Sequence, residues 1–208
     1  EQALRWLEAL QTGDIASAHL FARPEAVERV TASPKGGSSS FVPYFIYRDP
    51  RDVAVSHVFY VTEMEPSHVH HAYYKSQPDF DARLKVSILG RPDTEIEFPD
   101  IAGRFAPYLG WLDQPSVMKI HFEDLIQDCG GTLNRIIEHF LARVPLRTPR
   151  ELLLESLETS ISPDKSPTFR SGKTGEWKKH FTDEHKKIFK DVAGDLLIRL
   201  GYEENNDW

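Results

Sequence analysis

Val42-Pro43-Tyr44-Phe45-Ile46-Tyr47-Arg48-Asp49-Pro50-Arg51-Asp52-Val53-Ala54-Val55-Ser56-His57-Val58-Phe59-Tyr60 is the stretch on which the reading of this chain turns. Its first half, 42–47, is a compact apolar run ending at Tyr47. Residues 48–52 then form a charged corner. Val53, Ala54, Val55, Val58 and Phe59 resume an apolar pattern that suits a buried helix. The pattern predicts strand, corner and helix, the arrangement at which open α/β sheets hold ligands. Arg48 ends the strand and Ser56 lies two turns into the helix, so both can reach one anion beside the sheet.

Upstream, Ala3, Leu4, Leu7 and Leu10 share one face of a helix predicted over 1–12, which Gly13-Asp14 ends. Residues 15–22, Ile-Ala-Ser-Ala-His-Leu-Phe-Ala, are mostly apolar and predict a buried strand with His19 at its exit. A short helix or strand follows at 25–30, then a small-residue loop at 32–40. Downstream, the helix after the corner is expected to run to 64. Residues 65–81 are rich in His and Tyr, and 80–89 returns to helical spacing before Gly90-Arg91-Pro92 breaks it. The proline-rich stretch 91–100 reads as a loop over a cleft, and 101–112 as a helix with Phe105, Tyr108 and Leu109 inward. A second buried strand is expected at 117–122. Helices are expected from 132 to 143, where Leu133, Ile136, Ile137 and Phe140 are spaced for one face, and from 150 to 157. The stretch 159–176 reads as an extended loop. Thr182 caps a last helix with Asp183 and Glu184 at its positive end, and Gly201 closes it.

With 208 residues the chain is long enough for one α/β domain with a sizeable core. A net charge of −7 argues against wholesale nucleic-acid binding. The one cysteine, Cys129, excludes an internal disulfide and suits a reducing, cytoplasmic compartment. No apolar stretch approaches the length of a membrane span. His68, His70 and His71 lack the spacing of helical metal ligands, so no metal site is read from them. They are read, with Tyr73 and Tyr74, as lining or covering a cleft.

Three separated stretches offer anion ligands: Arg48 with Ser56; Phe122-Glu123-Asp124 after the second strand; and Thr168-Phe169-Arg170-Ser171-Gly172-Lys173-Thr174-Gly175-Glu176-Trp177-Lys178. In the last, two glycines let backbone approach a ligand closely, and the Arg170 fork suits a phosphate. Each alone is a common surface feature. Taken together they resemble the signature of the cytosolic-type sulfotransferase family. Tyr47 to Ser56 is similar to its strand-and-helix motif, 119–126 (Lys-Ile-His-Phe-Glu-Asp-Leu-Ile) to its second strand, and 169–182 to its C-terminal loop, in the family's order.

The resemblance implies an α/β fold, a mostly parallel sheet with helices on both faces, of the P-loop nucleotide-kinase-like sulfotransferase type, as a single domain over 1–208. It implies transfer of a sulfuryl group from 3′-phosphoadenosine 5′-phosphosulfate, without a metal, to a hydroxyl of a small molecule, lipid or glycan. Arg48, Ser56, Arg170, Ser171 and Gly172 would hold the 3′-phosphate, and Phe122 would face the adenine. Ser171 stands where the family often has Lys, a loss that Lys173 could offset; Phe122 stands for a frequent Tyr. Asp49 stands for a usual Asn, which points to pairing with Arg51 or a helix N-terminus rather than to phosphate contact. His19, in Ser17-Ala18-His19-Leu20-Phe21, loosely resembles the catalytic-base motif, and a histidine poised near neutrality can take a hydroxyl proton. The family's 5′-phosphosulfate loop is not matched. Pro34-Lys35-Gly36-Gly37-Ser38-Ser39-Ser40 has the composition, but it follows His19 and runs straight into a strand, whereas a phosphate loop must feed a helix N-terminus. The expectation is a chain that begins after the first strand, the loop and the first helix. Two other readings stay open: a non-catalytic nucleotide-binding relic of this fold, and a small-molecule kinase.

Overall fold

A computed structural model describes residues 2–32, 41–91, 97–166 and 169–208. The glycine-serine loop 33–40 and part of the proline-rich stretch 91–100 lie outside them, as does Thr168.

Two parallel strands organise the chain. Strand β1, Tyr44–Tyr47, pairs with β2, Met118–His121, in the register Tyr44 to Met118 through Tyr47 to His121. Alternation divides β1 between two faces. Tyr44 turns to one, where its hydroxyl donates to the Ile136 carbonyl at 3.2 Å. Phe45 and Tyr47 turn to the other and stack on each other, 5.3 Å apart. Each strand feeds a helix directly, as parallel α/β connections do.

Ahead of the sheet lie α1, Gln2–Ala9, and α2, Pro24–Thr31. Leu7, Ala26 and Val30 form a small core with Trp111 and Val117. Residues 15–22 correct the sequence reading. They form no strand, and Ile15 is fully exposed. Apolar composition alone cannot make a strand: the ladder must be completed by a partner, and among the described residues this segment has none. It is instead tied down at two points. The Ala22 N–H donates to the Pro107 carbonyl at 2.7 Å, and the Trp111 indole N–H to the Leu20 carbonyl at 2.8 Å.

After β1 comes α3, Pro50–Phe59, with proline in its first turn, where a missing N–H costs nothing. Asp49 caps it, accepting from the Arg51 N–H at 2.9 Å. The helix runs on as one π-helical turn, Tyr60–Met64, closed by the Glu65 N–H on the Tyr60 carbonyl at 2.9 Å. Next are α4, His71–Ser76, and α5, Phe80–Leu89, whose span matches the sequence expectation. Asp79 caps α5, and Gly90 ends it at φ +74°, in the left-handed region. The expected helix over 101–112 is α6, Ile101–Phe105, followed by a tighter 3₁₀ segment, Ala106–Trp111.

Phe122 leaves β2 and opens α7, Phe122–Gln127; then come α8, Cys129–Leu141, and α9, Arg150–Ser160. A short helix, α10, Trp177–His180, follows the C-terminal loop. Thr182 caps α11, Asp183–Ala193, as expected, in a reciprocal box: its hydroxyl accepts from the His185 N–H, and His185 Nδ1 accepts from the Thr182 N–H at 3.1 Å. That fixes the histidine tautomer, because Nε2–H must then donate to the Asp81 carbonyl at 3.0 Å. The last helix does not run unbroken to Gly201. Gly194, at φ +51°, breaks it, and α12, Leu196–Arg199, follows.

The main core is built by α3, α5, α6 and α11. Val55, Val58, Val61, Tyr74, Leu84, Ile88, Ile101 and Phe189 are almost wholly removed from water. Each such side chain contributes about 1.5–3 kcal/mol, and this burial fixes the position of α3.

Candidate functional site

The site grows from α3 and the corner before it. Arg48, Asp52, Ser56 and Phe59 are separated by four, four and three residues, so they form one stripe along the helix. The loop 169–177 lies along that stripe. Arg48 Nη2 donates to the Lys173 carbonyl at 2.7 Å. Asp52 receives the Gly175 N–H at 2.7 Å on Oδ2 and the Trp177 N–H at 2.8 Å on Oδ1. Arg170 lays its guanidinium over the Phe59 ring, 4.5 Å from its centre. Ser56, half-buried, falls on the same stripe between Asp52 and Phe59.

The loop can take this path because Gly172 and Gly175 adopt φ of +60° and +71°. A Cβ on Gly172 would also meet the Phe169 ring at 3.0 Å. Ser171 is at the turn, where its hydroxyl accepts from the Lys173 N–H at 3.5 Å. From the second strand, Phe122 presents its ring to Arg48, whose guanidinium carbon lies 4.9 Å from the ring centre. The structure therefore brings Arg48 to Phe122 and to the Lys173 carbonyl, and Arg170 to Phe59 on the helix that carries Ser56; Ser171 and Gly172 lie in the same loop, with contacts inside it.

The electrostatics of this cluster are unbalanced. Arg48 has Asp52 at 3.5 Å, but Asp52 is already engaged by two backbone N–H groups. The Nε atoms of Arg48 and Arg170 are both buried without a hydrogen-bond partner. An unmade bond on a buried cationic donor costs about 1–3 kcal/mol or more, and an anion supplying acceptor oxygens relieves it. Two guanidiniums with spare buried donors, beside left-handed glycines, fit a phosphate or sulfate oxyanion.

Asp49 behaves as the sequence implied. Its carboxylate is buried and takes a forked contact from Arg51, at 3.0 Å from Nε and 2.8 Å from Nη2. Burial pushes the Asp49 carboxyl up, while the bonds and charge of Arg51 oppose the rise. Its N–H donates to Glu123 Oε1 at 3.2 Å, and the other Glu123 oxygen accepts from the Tyr202 hydroxyl at 2.6 Å. Tyr202 is accordingly held far up, by burial first and then by Glu123.

His19 is exposed and sits edge-on to Tyr108, ring centres 6.4 Å apart. It makes no contact with Arg48 or Arg170 among the described residues. Its neighbours in the chain are anchored on the 3₁₀ segment 106–111, where Gly110 is required: a Cβ there would lie 2.9 Å from that of Ala22.

The His-Tyr region departs from the sequence reading. Tyr74 and His70 do not line an open cleft; both are buried. Phe98 is the hub, stacked with His57 at 5.1 Å and tilted against His70 at 4.8 Å, with Arg104 over its face at 4.7 Å. His57 Nδ1 is 3.2 Å from the Tyr74 hydroxyl, and its pKa falls to about 3, through burial first and then the charges of Arg104, His68 and His70. Among the described residues, no three His, Cys, Asp or Glu side chains converge as metal ligands.

Asp52 is the residue that sequence reasoning missed. Its signal was present: it stands four residues from both Arg48 and Ser56, on their stripe.

Arg48, just past the first strand, and Arg170, in the C-terminal loop, thus place two buried, unpartnered Nε donors beside a parallel strand pair. The sulfotransferase domain family model matches residues 45–201, and the chain belongs to the sulfotransferase family. Among curated proteins it is similar to human sulfotransferase 2A1, 24% identical over 183 residues, covering 78% of this chain and 60% of that one. Among solved structures it is similar to mouse sulfotransferase SULT7A1, solved complexed with PAP, with a TM-score of 0.53 and 17% identity over 76% of this chain and 61% of the other. The structural likeness bears on the fold, and the fold agrees: α/β, helix-rich, around a small parallel sheet. The chain spans about 60% of the length of these relatives. No helix among the described residues is long and apolar enough to cross a membrane.

Proposed function

We propose that this chain binds 3′-phosphoadenosine 5′-phosphosulfate and serves transfer of its sulfuryl group to an acceptor hydroxyl on a small molecule, lipid or glycan. The observation that carries the reading is the pair of buried, unpartnered Nε donors on Arg48 and Arg170, brought to one helix stripe by the loop 169–177. Membership of the sulfotransferase family supports it, as does the PAP bound to the mouse relative. Arg48, Ser56, Arg170, Ser171 and the Gly172 backbone would hold the 3′-phosphate, and Phe122 would stack on the adenine. A donor with a 3′-phosphate is what this cluster distinguishes from ATP. The nucleotide supplies the activated sulfuryl group; the protein's share is to fix both reactants in line and to exclude water. His19 would take the acceptor proton. A free cysteine, Cys129, fits a reducing, cytoplasmic setting.

The test is calorimetric titration with 3′-phosphoadenosine 5′-phosphate, followed by transfer from labelled donor to a panel of hydroxyl acceptors using the protein expressed from its full natural reading frame. Binding that weakens by over ~10-fold in Arg48→Ala supports the reading, because a charge-assisted contact is lost. Unchanged affinity removes Arg48 from the site. Binding without transfer to any acceptor favours a nucleotide-binding relic, and phosphate transfer from Mg-ATP overturns the reading in favour of a kinase.

A further inference from the structure

Residues 202–208 fold back onto the start of α3 and onto Trp177, at the end of the loop 169–177. The Arg51 guanidinium is buried in the corner formed by two indoles, 3.9 Å from the ring centre of Trp177 and 4.6 Å from that of Trp208. Glu203 pairs with its Nη1 at 2.5 Å, and Asp49 holds its other side. Trp208 packs edge-on to Trp177 at 5.6 Å and to Phe189 at 5.7 Å. Asp52, the next residue after Arg51, holds the backbone N–H of the same Trp177. Consecutive residues of one helix turn thus fix Trp177 twice, by its backbone from Asp52 and by its ring from Arg51. The tail completes only the second hold.

We propose that Glu203 and Trp208 are positioning residues for the donor loop: by holding Arg51 against Trp177 they set where residues 170–175 meet Arg48, and so set donor affinity without touching the donor. The effect on affinity rests on the functional reading above; the effect on the loop does not. Among the described residues, backbone contacts tie the loop to Arg48, through the Lys173 carbonyl, and to Asp52 of α3, through the Gly175 and Trp177 N–H groups. Removing the Trp208 face opens one side of the Trp177 ring. The fraction of molecules with a binding-competent loop falls, and apparent affinity falls by the same factor.

The experiment is amide hydrogen exchange and titration with 3′-phosphoadenosine 5′-phosphate on the full chain, for Trp208→Ala, Trp208→Phe and Glu203→Gln. In Trp208→Ala, exchange at Gly175 and Trp177 rises about tenfold or more while Leu84 and Ile88 in α5 keep their protection. The nucleotide dissociation constant rises about fivefold. Trp208→Phe recovers most of both effects, and Glu203→Gln, which keeps the indole and so the fold, shows both at reduced size. If the chain transfers sulfuryl groups as proposed, the donor KM rises while the acceptor KM is unchanged. Unaltered exchange at Gly175 and Trp177 in both Trp208→Ala and Glu203→Gln overturns the proposal, as does a loss of protection spread evenly through α5. Failure of the unsubstituted chain to bind the nucleotide overturns the functional reading instead, and the exchange result still decides the role of the tail.

Discussion

Replacing Asp52 with Asn tests whether the link between α3 and the C-terminal loop is as strong as its geometry implies. Asp52 is wholly buried and accepts two backbone N–H bonds, from Gly175 at 2.7 Å and Trp177 at 2.8 Å. Hydrogen bonds to a charged group contribute about 1.5–3 kcal/mol each. Asn keeps one carbonyl oxygen, so one bond survives in weaker, neutral form, at a loss of about 1 kcal/mol. The other N–H meets an amide NH₂, and that mismatch costs about 2 kcal/mol. The ion pair to Arg48 adds little, since its 3.5 Å contact is long and Arg48 is 22% exposed. The sum is about 3 kcal/mol, and at about 2–4 °C per kcal/mol for a chain of this size Tm should fall by about 6–12 °C. Scanning calorimetry, with urea unfolding to confirm an unchanged m-value, measures it. Asp124→Asn is the control, because its bridge to Arg135 is largely exposed and should move Tm by under ~2 °C. A fall in Asp52→Asn no larger than that of the control would refute the reasoning.

Three further outcomes are expected. On the proposed function, His19→Ala should lower turnover about 10²- to 10⁴-fold with nucleotide affinity nearly unchanged; near-normal turnover would move the base elsewhere. His57 is held neutral by the fold, with its pKa depressed to about 3. The unfolded chain therefore binds more protons between that value and the ordinary one near 6.5, and stability is fully present above ~6.5 and lost as pH falls toward ~3. Urea titrations across that window should show a shallower loss in His57→Phe, and identical slopes would exclude His57 as the cause. Gly90→Ala should destabilise by about 3 kcal/mol or more, because φ is +74° and the new Cβ would meet the Phe98 carbonyl oxygen and backbone of Pro99 and Asp100, which cannot swing aside. A urea midpoint within error of the parent would contradict that packing.

The local elements were the legible part of this fold. The apolar run before Arg48, the proline-started helix after it and the span of α5 all follow from nearest-neighbour patterning. Asp49 was legible as well, since its partner Arg51 is two residues away. Asp52 was not read, because a charged corner looks solvated until the loop that covers it arrives from 123 residues later in the chain. The segment 15–22 failed for the converse reason: its apolar composition satisfies a strand's side chains, but a strand also needs a ladder partner, and that is a tertiary fact. His70 and Tyr74 read in sequence as lining or covering a cleft, and their burial beside Phe98 is set by a residue more than twenty positions away. Gly194 was passed over because the apolar spacing on either side of it continues nearly in phase.

The π-helical turn at Tyr60–Met64 closes the helical rod that starts at Pro50. Pro50–Phe59 forms the turns before it, with Arg48 just ahead of them, and the histidine-rich segment follows it. Such a turn holds one residue more than an α-helical path would need. Deleting a single residue there would restore regular winding and rotate everything beyond it by about 100° about the axis, leaving the earlier turns in register. A one-residue insertion or deletion at 60–64 would therefore re-aim the histidine-rich segment that follows while leaving Asp52, Ser56 and Phe59 in their places.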